Sequence, residues 1–372
     1  MKDKKKYIAP LIYASYIFYI IGLVSDDVFP FLADYLSYVI FALLFGIFLI
    51  SKKEYKVRDI TLMGIFLVLF LFSLLQSISG LGSYLNLLNA FLILFIMGNA
   101  RFSKGVYRTM SITSVVLFTL FFSKSFVVWN EFTDGDALMN PNTIAQSLVL
   151  CTCPLYMSVT RLVRSKAARN IIQLAVLGMA FSGALMCNSR TAILAIAVIS
   201  VCLKIKFIKW IILKTYKIMC LLIIALGVAT PFVYIDMHND KVKTEVPFID
   251  GKEFYTGRER IWKYGIDDLS FYNGYAWGLG THHSTDIGEI TNFHNWYVGD
   301  IFYFGAVISV VFFLFTIYRL SELKNEEMKV FSLAVFIFGI FEMSIQWEFS
   351  QILFMLSALF EGTRGPERML AV

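Results

Sequence analysis

The sequence predicts an all-α, polytopic membrane protein with about twelve transmembrane helices and one long outward-facing loop. Three observations carry that prediction. The 372 residues are 58% hydrophobic and 16% aromatic but only 16% charged, with a mean hydropathy of +0.68, outside the range of soluble domains. Apolar runs long enough to cross a ~30 Å hydrocarbon core recur along the chain. When those runs are taken as spans, 25 of the 33 Lys and Arg residues fall on one side of the membrane.

The first run, 7–25, follows Met1-Lys2-Asp3-Lys4-Lys5-Lys6 and has no small-residue cleavage site before Ser25-Asp26-Asp27. It reads as a span rather than a cleaved signal. Runs at 31–50, 60–78, 83–99, 109–127, 143–160, 170–187, 191–207 and 217–235 follow, then 295–318, 329–346 and 349–361. The short basic connections at 51–59, 100–108, 161–169, 204–217 and 319–329 all fall on the side of both termini, which are expected to be cytoplasmic. Residues 1–372 are thus read as a single integral membrane domain, with 236–293 as its long outward loop. That loop holds ten Asp and Glu against six Lys and Arg, so the net charge of +6 reflects topology and gives no indication of nucleic-acid binding.

Composition also excludes several classes of function. There is no Walker loop, no GxGxxG followed by an acid, no HExxH, and no short-period repeat. Cys151, Cys153, Cys187, Cys202 and Cys220 all sit in or beside apolar spans, where they read as small buried hydrophobes. The pairs Asp26-Asp27 and Asp134-Gly135-Asp136 offer too few convergent oxygens for a metal site, and no cofactor is expected.

A largely apolar protein has few places for chemistry, and the outward loop supplies most of them. Thr256 with Glu259 has the spacing of a capping box, which predicts a helix start. Ile261, Trp262, Ile266 and Leu269 then recur at helical spacing, predicting an amphipathic interfacial helix. Arg258 and Arg260 would stand beside its N-terminal amides, a combination suited to phosphate or pyrophosphate, or equally to lipid headgroups and to Asp267 and Asp268. His294 stands where the loop re-enters lipid, among Phe293, Asn295, Trp296 and Tyr297. It is either part of an aromatic belt or a base for an acceptor hydroxyl. His238, His282 and His283 occupy less constrained loop positions. Arg190 lies in the very short outward turn Asn188-Ser189-Arg190-Thr191, as a snorkelling anchor or as a cation for an anionic substrate. Asp300, Glu342 and Glu348 are intramembrane acids, each a functional candidate and each able to neutralise Arg190.

These motifs together resemble the O-antigen polymerase and O-antigen ligase superfamily of bacterial inner-membrane enzymes. The resemblance rests on Asn140-Pro141-Asn142-Thr143-Ile144-Ala145, Ser189-Arg190-Thr191-Ala192, and Thr256-Gly257-Arg258 with Trp262. It continues through the stretch Gly274 to Gly280, His294-Asn295-x-Tyr297 and Gly305. It covers about 140–320; residues 1–130 are similar only in being hydrophobic spans.

The resemblance implies glycosyl transfer at the outer leaflet of the inner membrane from an undecaprenyl-pyrophosphate-linked oligosaccharide. Arg190, Arg258 and Arg260 would hold the pyrophosphate and His294 would be the catalytic base. Asn295, Tyr297, Trp262, Asp300 and Asn142 would support them, with no metal or nucleotide. Implied partners are the lipid-linked saccharide, the bilayer and a chain-length regulator protein. The Gly257-Arg258-x-x-x-Trp262 element and the short chain look more like a polymerase of O-antigen or capsule repeats than a ligase acting on lipid A–core. A flippase for lipid-linked sugars would line a central cavity with polar residues, whereas these spans are dominated by Phe, Leu and Ile.

Overall fold

A computed structural model of the protein describes residues 30–51, 57–76, 81–96, 104–134, 141–239, 257–280, 282–290 and 293–342. They form α1 (Pro30–Ser51), α2 (Val57–Gln76), α3 (Leu81–Ile96), α4 (Lys104–Asp134), α5 (Pro141–Leu162), α6 (Lys166–Met186), α7 (Arg190–Lys204), α8 (Lys206–Lys214) and α9 (Tyr216–Asn239). α10 (Arg258–Phe271), a two-residue antiparallel hairpin of β1 (Ser284–Thr285) and β2 (Gly288–Glu289), α11 (Trp296–Phe304), α12 (Ala306–Ser321) and α13 (Glu326–Phe341) complete them. Helix dominates because apolar segments in a bundle must satisfy their own backbone hydrogen bonds.

Among the described residues, Ser111–Asn130, Pro141–Leu162, Lys166–Met186 and Tyr216–Met237 are long and apolar enough to cross a membrane. α7 and α8, bent by 103° at Ile205, make a fifth such segment when read together. The expected spans at 31–50, 60–78 and 83–99 correspond to the shorter apolar stretches Tyr38–Leu49, Ile60–Leu75 and Tyr84–Ile96. Those at 7–25 and 349–361, together with Glu348 and the loop segment 240–256, lie outside the described residues. The structure therefore supports a multi-helix apolar bundle at a coarser level than twelve spans.

The helices pack through aromatic stacks and close glycine contacts. Phe66 of α2, Phe91 of α3 and Phe315 of α12 stack at centroid separations of 3.8 and 4.4 Å, which ties the N-terminal helices to the C-terminal half. Gly227 of α9 and Gly339 of α13 lie against Tyr297 and Trp296 of α11, so three backbones approach around those two rings. All five cysteines are buried and free, as small apolar residues would be.

At one end of the bundle a polar network joins four helices. Thr160 donates to Glu327 at 3.2 Å, Gln173 donates to Thr160 at 2.7 Å, and Lys204 donates to Gln173 at 3.0 Å. Lys209 of α8 pairs with Glu326 at 2.9 Å. Nearby, Arg319 caps the C-terminus of α3, with its Nε 2.8 Å from the Leu94 carbonyl, where a cation complements the helix dipole.

One expectation is corrected here. The segment 295–318 is not a single span but two helices, α11 and α12, broken at Gly305, whose φ of 87° and ψ of 157° no helix accommodates. The break strands backbone groups that an intact helix would pair. The glycine-rich stretch 274–280 inserts and pairs them. Leu279 N–H donates to Phe302 O at 2.7 Å and Gly280 N–H to Tyr303 O at 3.2 Å, while Ala306 N–H donates to Tyr275 O at 2.7 Å. The Ser73 hydroxyl of α2 adds a bond to Phe304 O at 2.8 Å. Irregular backbone is tolerated in an apolar bundle only when buried and paired in this way.

A Cβ at Gly305 would fall against Ala276 O and Trp277 Cα, and the φ is left-handed. Gly305→Ala is expected to cost about 1–3 kcal/mol or more from backbone strain alone and to lower the yield of monodisperse protein in fluorescence-detected size exclusion. Gly178→Ala, whose Cβ would meet nothing within 4 Å, is expected to leave that yield unchanged. Equal behaviour of the two variants would overturn this account of the break.

Candidate functional site

The helix that the capping-box spacing predicts starts one residue later. The N-cap of α10 is Gly257, at φ 81° with no side-chain cap, and Thr256 lies outside the described residues. A left-handed N-cap suits glycine, and it starts the helix so that Arg258 is its first residue. Trp262, Gly265 and Leu269 then form the buried face, and the expected amphipathic helix is present. Residues two apart on a helix point about 200° away from each other. Arg258 therefore turns into the protein, while Arg260 is exposed and lies 5.9 Å from the Tyr264 ring.

Arg258 meets the C-terminus of α13. Its Nη1 donates to Phe341 O at 2.6 Å and its Nη2 to Glu342 Oε1 at 2.6 Å. The first bond satisfies one of the carbonyls that a helix end leaves unpaired, and the second forms a charge-assisted pair. The other oxygen of the same carboxylate, Oε2, stands 3.4 Å from His294 Nδ1. Of the three acids that the sequence offers as functional candidates or as partners for Arg190, Glu342 pairs with Arg258 and stands beside His294. Its side chain is only 6% exposed, so the ion pair is largely removed from water.

His294 adopts φ 51°, in the left-handed region where non-glycine residues are uncommon and histidine is enriched. Three neighbours hold it there. Trp262 Nε1–H donates to Phe293 O at 2.7 Å. Asn295, fully buried, caps α11 by accepting from Val298 N–H at 2.9 Å. Its amide nitrogen donates to Gly227 O at 2.8 Å and to Ile340 O at 2.9 Å. The Gly227 carbonyl needs an outside donor because the residue four positions on is Pro231, which has no N–H. Tyr297 then donates to Phe336 O at 2.6 Å, fixing the first turn of α11 to α13. Trp262, Asn295 and Tyr297 are therefore positioning residues for His294.

Arg190 reaches the same region from another direction. α6 ends in a Schellman motif: Asn188, at φ 50°, donates to Leu185 O at 2.8 Å and Ser189 N–H donates to Ala184 O at 3.1 Å. That reversal starts α7 directly at Arg190. The electrostatic neighbours of its guanidinium include the Tyr234 hydroxyl and Arg258. The Tyr234 ring lies edge-on to Trp262 at 5.3 Å and near Phe341 at 6.4 Å.

Arg190, Arg258, His294 and Glu342 thus converge from α7, α10, the start of α11 and the end of α13. Arg258 and His294 share that carboxylate in a partly dry setting, and Arg190 is an electrostatic neighbour of Arg258. Neighbouring cations are stabilised by an anion, and the fork geometry of arginine suits a phosphate.

The remaining sequence candidates lie elsewhere. Asp300 is 1% exposed among the aromatic rings of α11, with Tyr297 and Tyr303 as electrostatic neighbours. Asn142, the second residue of α5, stands half-buried at the helix start. Tyr234 was missed in the sequence because it reads as one more aromatic in an apolar run. The nearby Pro231 was the available signal, since it marks a helix carbonyl that requires a partner from another segment. No family model, curated protein or solved structure matches this chain.

Proposed function

We propose that the protein is a membrane glycosyltransferase of the O-antigen polymerase type. It moves a glycan from undecaprenyl pyrophosphate to a sugar hydroxyl of a second lipid-linked unit at the outer leaflet. The observation that carries this reading is the meeting of Arg258 and His294 on Glu342, with Arg190 an electrostatic neighbour of Arg258. The Lys and Arg asymmetry supports an outward position for that end of the bundle. Arg161, Lys204, Lys209 and Arg319 mark the opposite end, the side attributed to the cytoplasm.

The chemistry follows from the side chains. The acceptor oxygen attacks the anomeric carbon, the bond from that carbon to pyrophosphate breaks, and the lipid diphosphate leaves with the electron pair. Arg190 and Arg258 balance the charge that accumulates on the leaving group. The acceptor proton passes to His294 Nε2, because the Nδ1 side faces the Glu342 carboxylate, which favours a proton on Nδ1. Glu342 also holds Arg258 before the donor arrives, so donor pyrophosphate exchanges one carboxylate contact for a more highly charged one. Positioning and electrostatics supply the acceleration, with no nucleotide or metal in the scheme.

Arg190→Ala is expected to lower turnover on purified lipid-linked substrate about 10²–10³-fold, the effect of losing one charge-stabilising donor. His294→Ala is expected to lower it about 10²–10⁴-fold by removing the base. Wild-type rates in either variant would refute the assigned role. Arg258→Ala leaves the buried Glu342 with only the longer His294 contact, which costs up to about 3–5 kcal/mol. The informative comparison is therefore Arg258→Ala with Glu342→Gln: protein abundance recovers and activity stays lost. In a deletion strain, a polymerase leaves core capped by one repeat, whereas a ligase leaves bare core and accumulated lipid-linked polymer. Intact ladders with substrate stranded on the cytoplasmic leaflet would indicate a flippase.

A further inference from the structure

The two ends of α10 differ in chemistry. Its first residue, Arg258, belongs to the anion-binding group, while its last turn is acidic and aromatic. There Asp268 Oδ2 stands 2.9 Å from His283 Nε2, which brings the residue just before the hairpin against the helix. The His283 ring lies edge-on to Tyr272 at 5.1 Å, and Tyr272 lies edge-on to Phe271 at 4.9 Å. Phe271 is 78% exposed and Tyr272 56% exposed. Ser270 hydrogen-bonds to the Tyr275 hydroxyl at 2.9 Å on the same turn.

This turn is held in place rather than loose. α10 ends in a Schellman motif, with Asn273 at φ 53° and Gly274 N–H donating to Leu269 O at 2.9 Å. The stretch that follows is the one that pairs with the break at Gly305. Two large exposed rings on a fixed polar turn mark an interaction surface. They differ from the exposed aliphatic residues of the apolar helices in alternating with Asp268, Ser270 and His283.

Resting on the glycosyl-transfer reading, we infer that this turn is a subsite for the sugar rings of the substrate, the occupant being a neutral or cationic oligosaccharide. A pyranose presents a face of C–H bonds ringed by hydroxyls. An exposed aromatic ring covers the first, and a carboxylate and an imidazole serve the second as acceptor and donor. Charge decides against phospholipid headgroups: Asp267 and Asp268 stand beside the rings and repel phosphate, which the Arg258 end attracts. α10 has 14 residues and so spans about 20 Å, room for a glycan lying along it with its pyrophosphate at Arg258.

The test uses the full chain in nanodiscs. The probe is the repeat-unit oligosaccharide of the producing cell's own surface polysaccharide, freed of lipid and pyrophosphate. Wild type is expected to bind it saturably. Tyr272→Ala and Phe271→Ala are each expected to weaken binding about tenfold, the loss of about 1.4 kcal/mol. Tyr272→Trp is expected to retain binding, as stacking requires. Absence of saturable binding to wild type, or equal binding by all variants, overturns the subsite. So does a Tyr272→Ala defect confined to retention in phosphatidylglycerol vesicles, which would make the rings a membrane anchor. Saturable glycan binding that needs Tyr272, in a protein that forms no polymer, would defeat the transferase reading and leave the subsite standing.

Discussion

The architecture depends on one requirement: no backbone N–H or carbonyl can be left unpaired inside an apolar bundle, where each would cost several kcal/mol. Among the described residues, three places where a helix alone fails that requirement are repaired by residues of the candidate site or its support. The break at Gly305 is filled by the 274–280 stretch, which fixes the far end of α10 against α11 and α12. The carbonyl of Gly227, deprived of its donor by Pro231, takes the amide of Asn295. The last carbonyls of α13 take Asn295 and Arg258. The residues that organise the site are thus also the ones that make irregular backbone tolerable.

This dual use explains the placement of His294. Its left-handed backbone is held from both sides, by Trp262 through Phe293 and by Asn295 through two other helices. Strain of this kind persists only where the surroundings over-determine it, and it concentrates where a side chain must point in one direction. The same logic applies at Asn188, where a left-handed C-terminal cap leads into Arg190. Arg258 and His294 therefore meet on Glu342, and Arg190, more than sixty residues earlier in the chain, is an electrostatic neighbour of Arg258.

The sequence made much of this legible, unevenly. Long apolar runs identified most helices because hydropathy is set by local composition. Arg190, Arg258 and His294 stood out because charge and imidazole are rare in such a chain. Long-range geometry was not legible. Arg258 and Arg260 look alike in sequence, yet the helical turn sends one inward and the other outward. Glu342 could be recognised as an acid needing a cation, but not which cation, since that depends on where α13 ends. The break at Gly305 was invisible to a hydropathy reading, because the residues on both sides are apolar; only the tertiary pairing with 274–280 makes it possible. Asp268 and His283 lay in a loop where spacing carries no information about contact.

The resting arrangement of the site also has a consequence for order. Arg258 is committed to Glu342 and the α13 terminus, a buried pair whose attraction roughly offsets its desolvation. A monovalent anion gains little by competing for that guanidinium. A pyrophosphate, with more charge and more acceptor oxygens, forms several charge-assisted bonds at once and draws on Arg190 as well. As it does so, Glu342 loses its strongest partner and its remaining contact, His294, becomes the natural place for its charge. A carboxylate facing Nδ1 favours the tautomer whose free nitrogen is Nε2. On the proposed reading, donor binding and proton transfer are then linked through one side chain, Glu342.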